Sequence, residues 1–463
     1  MRILRNILWA VAVIAVMAAC IKESEPTYRG GGEGGGESEE KPYEPDSDYL
    51  PYSQDSTAVL LYAAAFNNLS GDIKDNIRRI GEGQVPVKDS RKKLLIYAHL
   101  ARANDDYKTP VKSHLVWVYA GNGNLVFKDP LDGTADTLIR NVCCDTLLTY
   151  DASVTACDPA VLREVLEYVQ DRFPNHRYGL VLSSHGTGWL PAGVYNSTNY
   201  YPPVQLGKKR PYSEGAALYL YNQDPSVPAV RTFGAEAVKE GNTTYSKEMG
   251  LTSFASAIPG KLEFMVFDAC LMGCVEVAYE LRNVTETLCF SPTEILSAGM
   301  YYESFIDRLL ARDRLDKYAE DFYNYYNSRV GTSRSVSVAV VRTEGLEELA
   351  RTCRELTLAY RDRIDTVGTN VQGYFRGGNS WFYDLKDIYM QSGINTAEAK
   401  RLQQALDECV VYKAFTPEFL GLKLQRCCGL GMYLPNRTVK SSRETVDSYY
   451  RTLAWNNAVN LVE

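Results

Sequence analysis

Tyr178-Gly-Leu-Val-Leu-Ser-Ser-His185-Gly186-Thr187-Gly188-Trp189 and Phe264-Met-Val-Phe-Asp268-Ala269-Cys270-Leu-Met-Gly-Cys274 each begin as a short continuous apolar run and end in polar, reactive residues. A run with no polar alternation reads as a strand buried on both faces. In open α/β sheets ligands gather beyond the carboxyl ends of the strands, so both motifs are expected to open into one crevice.

The flanking sequence repeats the pattern. Val59 to Ala65, Leu94 to Ala98, Leu115 to Tyr119 and Val336 to Val341 are further apolar runs, with a helical period from Ser70 to Ile80 between the first two. Asp158-Pro159 opens a helix to about Arg172, with Asp as its cap and Pro in its first turn. A Tyr-rich helical pattern covers about Ser304 to Tyr326. Buried strands alternating with helices predict an α/β fold with a mostly parallel sheet covered on both faces. After Thr343 the pattern turns helical, over Glu344 to Arg361 and Thr396 to Val411, and closes on the strand-like run Gly429 to Pro435. That run either joins the main sheet or belongs to a separate unit. The folded body is therefore divided at 57–343 and 344–463. A Gly-, Asn- and Pro-rich stretch, roughly Pro191 to Gly250, reads as a long loop and contains Lys208-Lys209-Arg210.

The chain has 463 residues, 45% hydrophobic and 23% charged, so a sizeable core can form and collagen-like, coiled-coil and wholly disordered classes are excluded. Lys plus Arg number 50 and Asp plus Glu 57, a net charge of −7, which argues against a nucleic-acid partner. Much of that charge lies at the start. Arg2 and Arg5 precede the apolar run Ile7 to Ala19, shorter than the ~20 residues of a spanning helix and fitting a secretory signal. Met17-Ala18-Ala19-Cys20 resembles a bacterial lipobox, so residues 1–19 are expected to be removed and Cys20 lipidated. Residues 20–56, with Gly30 to Gly36, four prolines and an excess of acids, read as a flexible tether. With Ile21 after the cysteine and Glu23 and Glu25 close behind, the expected location is the outer membrane or surface of a Gram-negative cell. Tether and signal account for most of the imbalance, and the folded body is close to neutral.

Cys270 lies where a strand gives way to a helix, expected over Met272 to Leu281, and helix N-terminal amides lower a thiol pKa. Gly186, directly after His185, lets its backbone N–H approach a substrate carbonyl. Asp268 is placed to order the elbow or line a pocket. Three chemistries compete. Zinc could take His185, Cys270 and Cys274 with Cys289, but Cys-x3-Cys without a second pair matches metal sites loosely. A serine hydrolase lacks its Gly-x-Ser-x-Gly elbow. A Cys–His pair is the best of the three, against the alternative of no catalysis. Cys143, Cys144, Cys157, Cys353, Cys409, Cys427 and Cys428 read as inert and few or no disulfides are expected; His99 and His114 read as core residues and His176 as solvated.

The two motifs, the second extended through Val-Glu-Val-Ala-Tyr-Glu-Leu281, resemble the clostripain family of cysteine peptidases. Leu61-Tyr-Ala-Ala-Ala-Phe-Asn-Asn-Leu69, Phe382-Tyr-Asp-Leu-Lys386 and Gly429-Leu-Gly-Met-Tyr-Leu-Pro435 are similar to further family segments, so the likeness spans most of 57–455. It implies a caspase-like three-layer sandwich, with 57–343 as catalytic domain and a smaller helix-rich C-terminal part. Cys270 then becomes the nucleophile, His185 the general acid/base, and the N–H groups of Gly186 and Cys270 the oxyanion hole. Family members favour Arg or Lys before the cut, held by two acids. One matches Asp268; Ala298 stands where the other falls, with Glu294 a candidate substitute. The family often cleaves itself between histidine and cysteine, where Lys208-Lys209-Arg210 offers a site. Calcium is linked to clostripain itself, but no EF-hand-type loop is present and no obligatory cofactor or metal is expected. Expected partners are peptide or protein substrates and the membrane, for a monomeric chain. The competing reading is a surface-binding lipoprotein of weak catalysis, its 33 tyrosines forming an exposed aromatic face.

Overall fold

The computed structural model describes residues 56–103, 106–128, 133–174, 176–190, 233–240, 243–311, 315–375, 381–437 and 440–463. Cys20, the tether and Lys208-Lys209-Arg210 lie outside the described residues. Strand β1, Ser56–Ala65, carries the sequence STAVLLYAAA and is buried at every position but the first. Its side chains alternate between two layers: Leu60, Tyr62 and Ala64 enter one core cluster, Val59, Leu61, Ala63 and Ala65 the other. A strand that is apolar on both faces needs cover on both, at roughly 1.5–3 kcal/mol per fully buried Val or Leu.

The remaining strands, in chain order, are β2 Lys92–Ala103, β3 Asp106–Pro110, β4 Ser113–Lys128, β5 Ala135–Tyr150, β6 His176–Ser183, β7 Phe233–Glu240, β8 Thr243–Met249, β9 Leu262–Asp268, β10 Thr285–Phe290, β11 Ser337–Arg342, β12 Tyr383–Asp384 and β13 Val410–Phe415, followed by the two-residue strands Glu418–Phe419, Leu422–Lys423 and Gly431–Met432. The main sheet runs β13-β11-β10-β9-β6-β1-β2-β4-β5, with β3 paired to β2. Its centre, from β2 through β1, β6 and β9 to β10, is parallel, and both flanks are antiparallel. This is the three-layer α/β sandwich read from the apolar runs.

Helix Pro159–Arg172 lies on one face through Val161, Leu162, Val165 and Val169, and Asp158 caps it by accepting from Ala160 N at 3.0 Å. Ser70–Ile80 and Leu315–Asn327 cover the other face, through Ile73 and Ile77 and through Tyr318, Phe322 and Tyr326. The Tyr-rich region is interrupted: a π-helical turn at Phe305–Leu310 precedes the α-helix.

The C-terminal part contributes β13 to the main sheet. The run Gly429–Pro435 stays outside it: Gly431–Met432 pairs with β12, and Gly431 bridges Cys274. Leu349, Leu406, Tyr433 and Trp455 belong to the same core cluster as Phe267 and Leu281, so residues on either side of Thr343 share one interior. Part of the stretch read as a long loop is regular: β7 and β8 form a hairpin. Among the described residues no helix is long and apolar enough to cross a membrane.

Candidate active site

Three parallel strands reach the site at one level. In register, Ala63 of β1 faces Ser183 of β6, and Ser183 faces Asp268 of β9. The chain therefore leaves all three together, and within a few residues comes to Asn68, His185 and Cys270. His185 follows the middle strand, between the other two.

The His185 loop is held by its backbone. Ser184 N donates to Asp268 O at 3.3 Å, and Ser184 Oγ donates to Ala64 O at 2.6 Å. Gly234 N donates to His185 O at 3.0 Å, and Gly186 bridges Phe233, so the start of β7 clamps the loop from the other side. Nε2 of His185 lies 2.8 Å from Asn68 Oδ1. Burial pushes the imidazole pKa down to about 4.

At Cys270 the chain turns sharply. Leu271 takes φ +62°, a left-handed conformation that costs roughly 1–2 kcal/mol in a branched residue. The loop after β10 holds it there: Leu271 N donates to Thr293 O at 2.9 Å and Gly273 N to Ser291 O at 2.8 Å. Ile295 N donates to Cys270 Sγ at 3.4 Å, and the thiol lies 3.7 Å from Ile295 O. The expected helix start at Met272, just after Cys270, is corrected here. The helix is Val275–Leu281, because the residues after the cysteine are spent on the strained turn, and an N–H that reaches the sulfur is that of Ile295.

Gly186 sits against that turn. A Cβ there would lie 2.6 Å from Cys270 O, so only glycine lets the two backbones approach. At Gly188, φ +60° and a Cβ position 2.6 Å from Leu271 O require glycine again. Trp189 then enters the core against Tyr433 and Tyr450, with ring centroids 4.8 Å and 4.9 Å away. The same two residues hold the other motif: Glu276 Oε1 accepts from Tyr433 N at 2.8 Å and Tyr450 OH at 2.7 Å. One tyrosine pair thus braces the histidine loop and the cysteine elbow from beneath.

Asp268 is buried and accepts from Ser183 Oγ at 2.9 Å, Tyr302 OH at 2.7 Å and Met300 N at 3.0 Å. Burial raises its pKa, while these donors and the charge of Arg79 pull the other way. Its carboxylate anchors the turn containing Gly299, where a Cβ would lie 2.9 Å from Asp268 Oδ2. Ala298 O accepts from Arg79 Nη1 at 3.0 Å. Glu294 is buried and precedes Ile295, and its carbonyl accepts from Thr293 Oγ1 at 3.0 Å.

The zinc set does not assemble: Cys274 is buried in one core layer and Cys289 in the other, across the sheet. Among the described residues no group of three or more His, Cys, Asp or Glu side chains is placed to hold a metal ion. The ten described cysteines form no disulfide. His99 is buried with Nδ1 2.9 Å from Glu236 Oε2, whereas His114, read as core, is exposed with Nδ1 2.9 Å from Thr149 Oγ1, because it faces outward on the antiparallel flank. Tyr62, Tyr97, Tyr302, Tyr318, Tyr374, Tyr389, Tyr433 and Tyr450 are fully buried. The large apolar side chains exposed among the described residues are Val87, Val330, Leu358 and Met390, none of them aromatic. Asn68 and Glu236 were not singled out for a role in the sequence. A polar pair directly after a buried strand was the available signal for Asn68; Glu236 sits in a polar stretch with none.

Comparison with known proteins agrees with this geometry. The clostripain family model matches residues 61–200 and 219–460. An inactive zymogen C11 protease from Parabacteroides distasonis is similar at 25% identity and TM-score 0.63, over 89% of this chain and 99% of that one. A secreted C11 cysteine protease from Bacteroides thetaiotaomicron, solved with an irreversible peptide inhibitor, shares the fold at 22% identity and TM-score 0.63, over 88% and 99%. A further structure of a secreted C11 cysteine protease from that organism, called iotapain, aligns at 20% identity and TM-score 0.64, over the same shares. No curated protein matches. The chain belongs to the clostripain family and is a cysteine peptidase.

Proposed function

We propose that this protein is a cell-envelope endopeptidase in which Cys270 and His185 form the catalytic dyad. The carrying observation is the register that ends β6 and β9 at Ser183 and Asp268, side by side, two residues before His185 and Cys270. The imidazole takes the thiol proton, and Cys270 Sγ attacks the scissile carbonyl carbon. The carbonyl oxygen becomes an oxyanion facing the N–H groups of Gly186 and Cys270. Collapse of this intermediate breaks the C–N bond, and the imidazolium gives its proton to the leaving amine. Water, deprotonated by the same imidazole, then attacks the thioester, and the thiol regains its proton. A neutral resting imidazole suits the first step, and burial of His185 favours that form.

The pocket bears on the side chain accepted before the cut. Asp268 favours Arg or Lys by family likeness. Its three resident donors, the charge of Arg79 and Ala298 in place of the second acid weaken that attraction and favour a neutral residue. Glu294 is the residue to restore it. Anchoring through lipidated Cys20 would hold the enzyme at the outer membrane or cell surface, as the lipobox-like segment supports.

The test is turnover of Arg-, Lys- and neutral-residue reporter peptides by the full chain, with Cys270→Ala and His185→Ala as controls. Loss of turnover in both variants is expected. Retained activity in Cys270→Ala refutes the dyad.

A further inference from the structure

We infer that Asn68 is the positioning residue of the site: its side-chain oxygen holds the His185 imidazole in the tautomer that leaves Nδ1 to exchange protons with Cys270. This rests on the dyad proposed above. The juxtaposition comes from strand order, since β6 lies between β1 and β9. The middle residue, His185, therefore has the β1 loop on one side and the nucleophile elbow on the other. Asn68 Oδ1 can only accept a hydrogen bond, so at 2.8 Å from His185 Nε2 it requires that nitrogen to carry the hydrogen. Nδ1 is then the basic nitrogen, and the ring plane is fixed along the Nε2–Oδ1 line.

An exposed asparagine positions a ring only if its own backbone is rigid, and here it is over-determined. The preceding Asn67 is buried, and its Nδ2 donates to Ala64 O at 3.0 Å and Ala235 O at 2.8 Å. Its Oδ1 accepts from Leu69 N at 2.8 Å. Asn67 thereby ties together β1, β7 and the residue after Asn68. One position earlier, Phe66 N donates to Glu236 Oε1 at 3.4 Å. Glu236 is fully buried and its other oxygen accepts from Thr155 Oγ1 at 2.7 Å and Ala156 N at 2.8 Å, beside His99. The loop carrying Asn68 is fixed at both neighbours, and β7, which supplies Glu236, also bonds His185 O through Gly234. The same hairpin places donor and acceptor.

The experiment compares full-length wild type, Asn68→Ala and Asn68→Asp. The tautomer is read by nitrogen NMR of the histidine rings; the chain has only 4 histidines, so His185 is assignable by its own replacement. Wild type should show hydrogen on Nε2, and Asn68→Ala a mixture of both tautomers. With a reporter peptide, Asn68→Ala should lower kcat about 10- to 100-fold with KM steady, the scale of a misdirected reacting group. Asn68→Asp should recover most of kcat and raise the acid limb of the pH profile by about one unit, because a carboxylate favours the imidazolium. An unchanged tautomer in Asn68→Ala overturns the inference, as does a changed tautomer with unchanged kcat. If wild type turned over no peptide at all, the dyad proposal would fall, and the tautomer would still decide whether Asn68 holds the ring.

Discussion

Glu276→Gln tests whether the brace beneath the His185 and Cys270 loops is electrostatically costly. Glu276 is fully buried, and burial raises its pKa to about 7 from 4.5, despite the hydrogen bonds from Tyr433 N and Tyr450 OH that pull it down. A raised carboxylate pKa means the folded state binds more protons than the unfolded one between those values. Stability contributed by the protonated acid is thus fully present below pH 4.5 and lost as pH rises through 7. Integrated from pH 5 to pH 8, ionising this one group costs about 2.5 kcal/mol of stability. Glutamine keeps the oxygen that accepts from Tyr433 and Tyr450 but cannot ionise. Denaturant unfolding of wild type and variant at pH 5, 6, 7 and 8 gives the stability difference at each pH. Any fixed cost of the new amide group cancels in the trend. The variant should gain on wild type by about 2.5 kcal/mol across the range, about half of it by pH 6, levelling off just above pH 7. A difference flat to within about 0.5 kcal/mol would refute the reasoning, showing that Glu276 either ionises with its ordinary pKa or finds compensation on charging.

The low pKa of His185, about 4, predicts that kcat/KM holds level from neutral pH down to about 5 and falls about tenfold per unit once the imidazole protonates. A limb near 6.5 in a pH-rate series would contradict it. Gly188→Ala meets both φ +60° and the Leu271 carbonyl, so unfolding experiments should show a loss of at least ~2 kcal/mol, with slower labelling of Cys270 by a thiol-directed probe. Asp268→Ala strands three buried donors and should cost at least ~3 kcal/mol, whereas Asp268→Asn should fold. The ratio of Arg to neutral turnover in Asp268→Asn then reports whether the carboxylate also reads substrate. Cys20→Ala should release the protein from the membrane fraction; persistent membrane association would refute lipid anchoring at that residue.

Local chemistry was legible wherever a segment's own residues settle its state. The apolar run of β1 is buried on both faces, and the Asp158–Pro159 start and Arg172 end of the first long helix after it stand as read. The residues proposed for the dyad also stood out, because His-Gly-x-Gly-Trp and Asp-Ala-Cys interrupt apolar runs with polar, reactive side chains. Strand β10, Thr285–Phe290, was invisible because a short segment with two threonines and a glutamate becomes a strand only through pairing with β9 and β11. Hairpin β7–β8 hid in the same way within a polar stretch, and with it Glu236.

What the sequence by itself determined is therefore the class of fold and the family to which the chain belongs, since apolar periodicity and short motifs are properties of local windows. Only the tertiary structure decided that β6 lies between β1 and β9, that Asn68 meets His185, and that the turn after Cys270 delays the helix to Val275. Those are consequences of strand order, register and hydrogen bonds between residues far apart in the chain, which no local window contains.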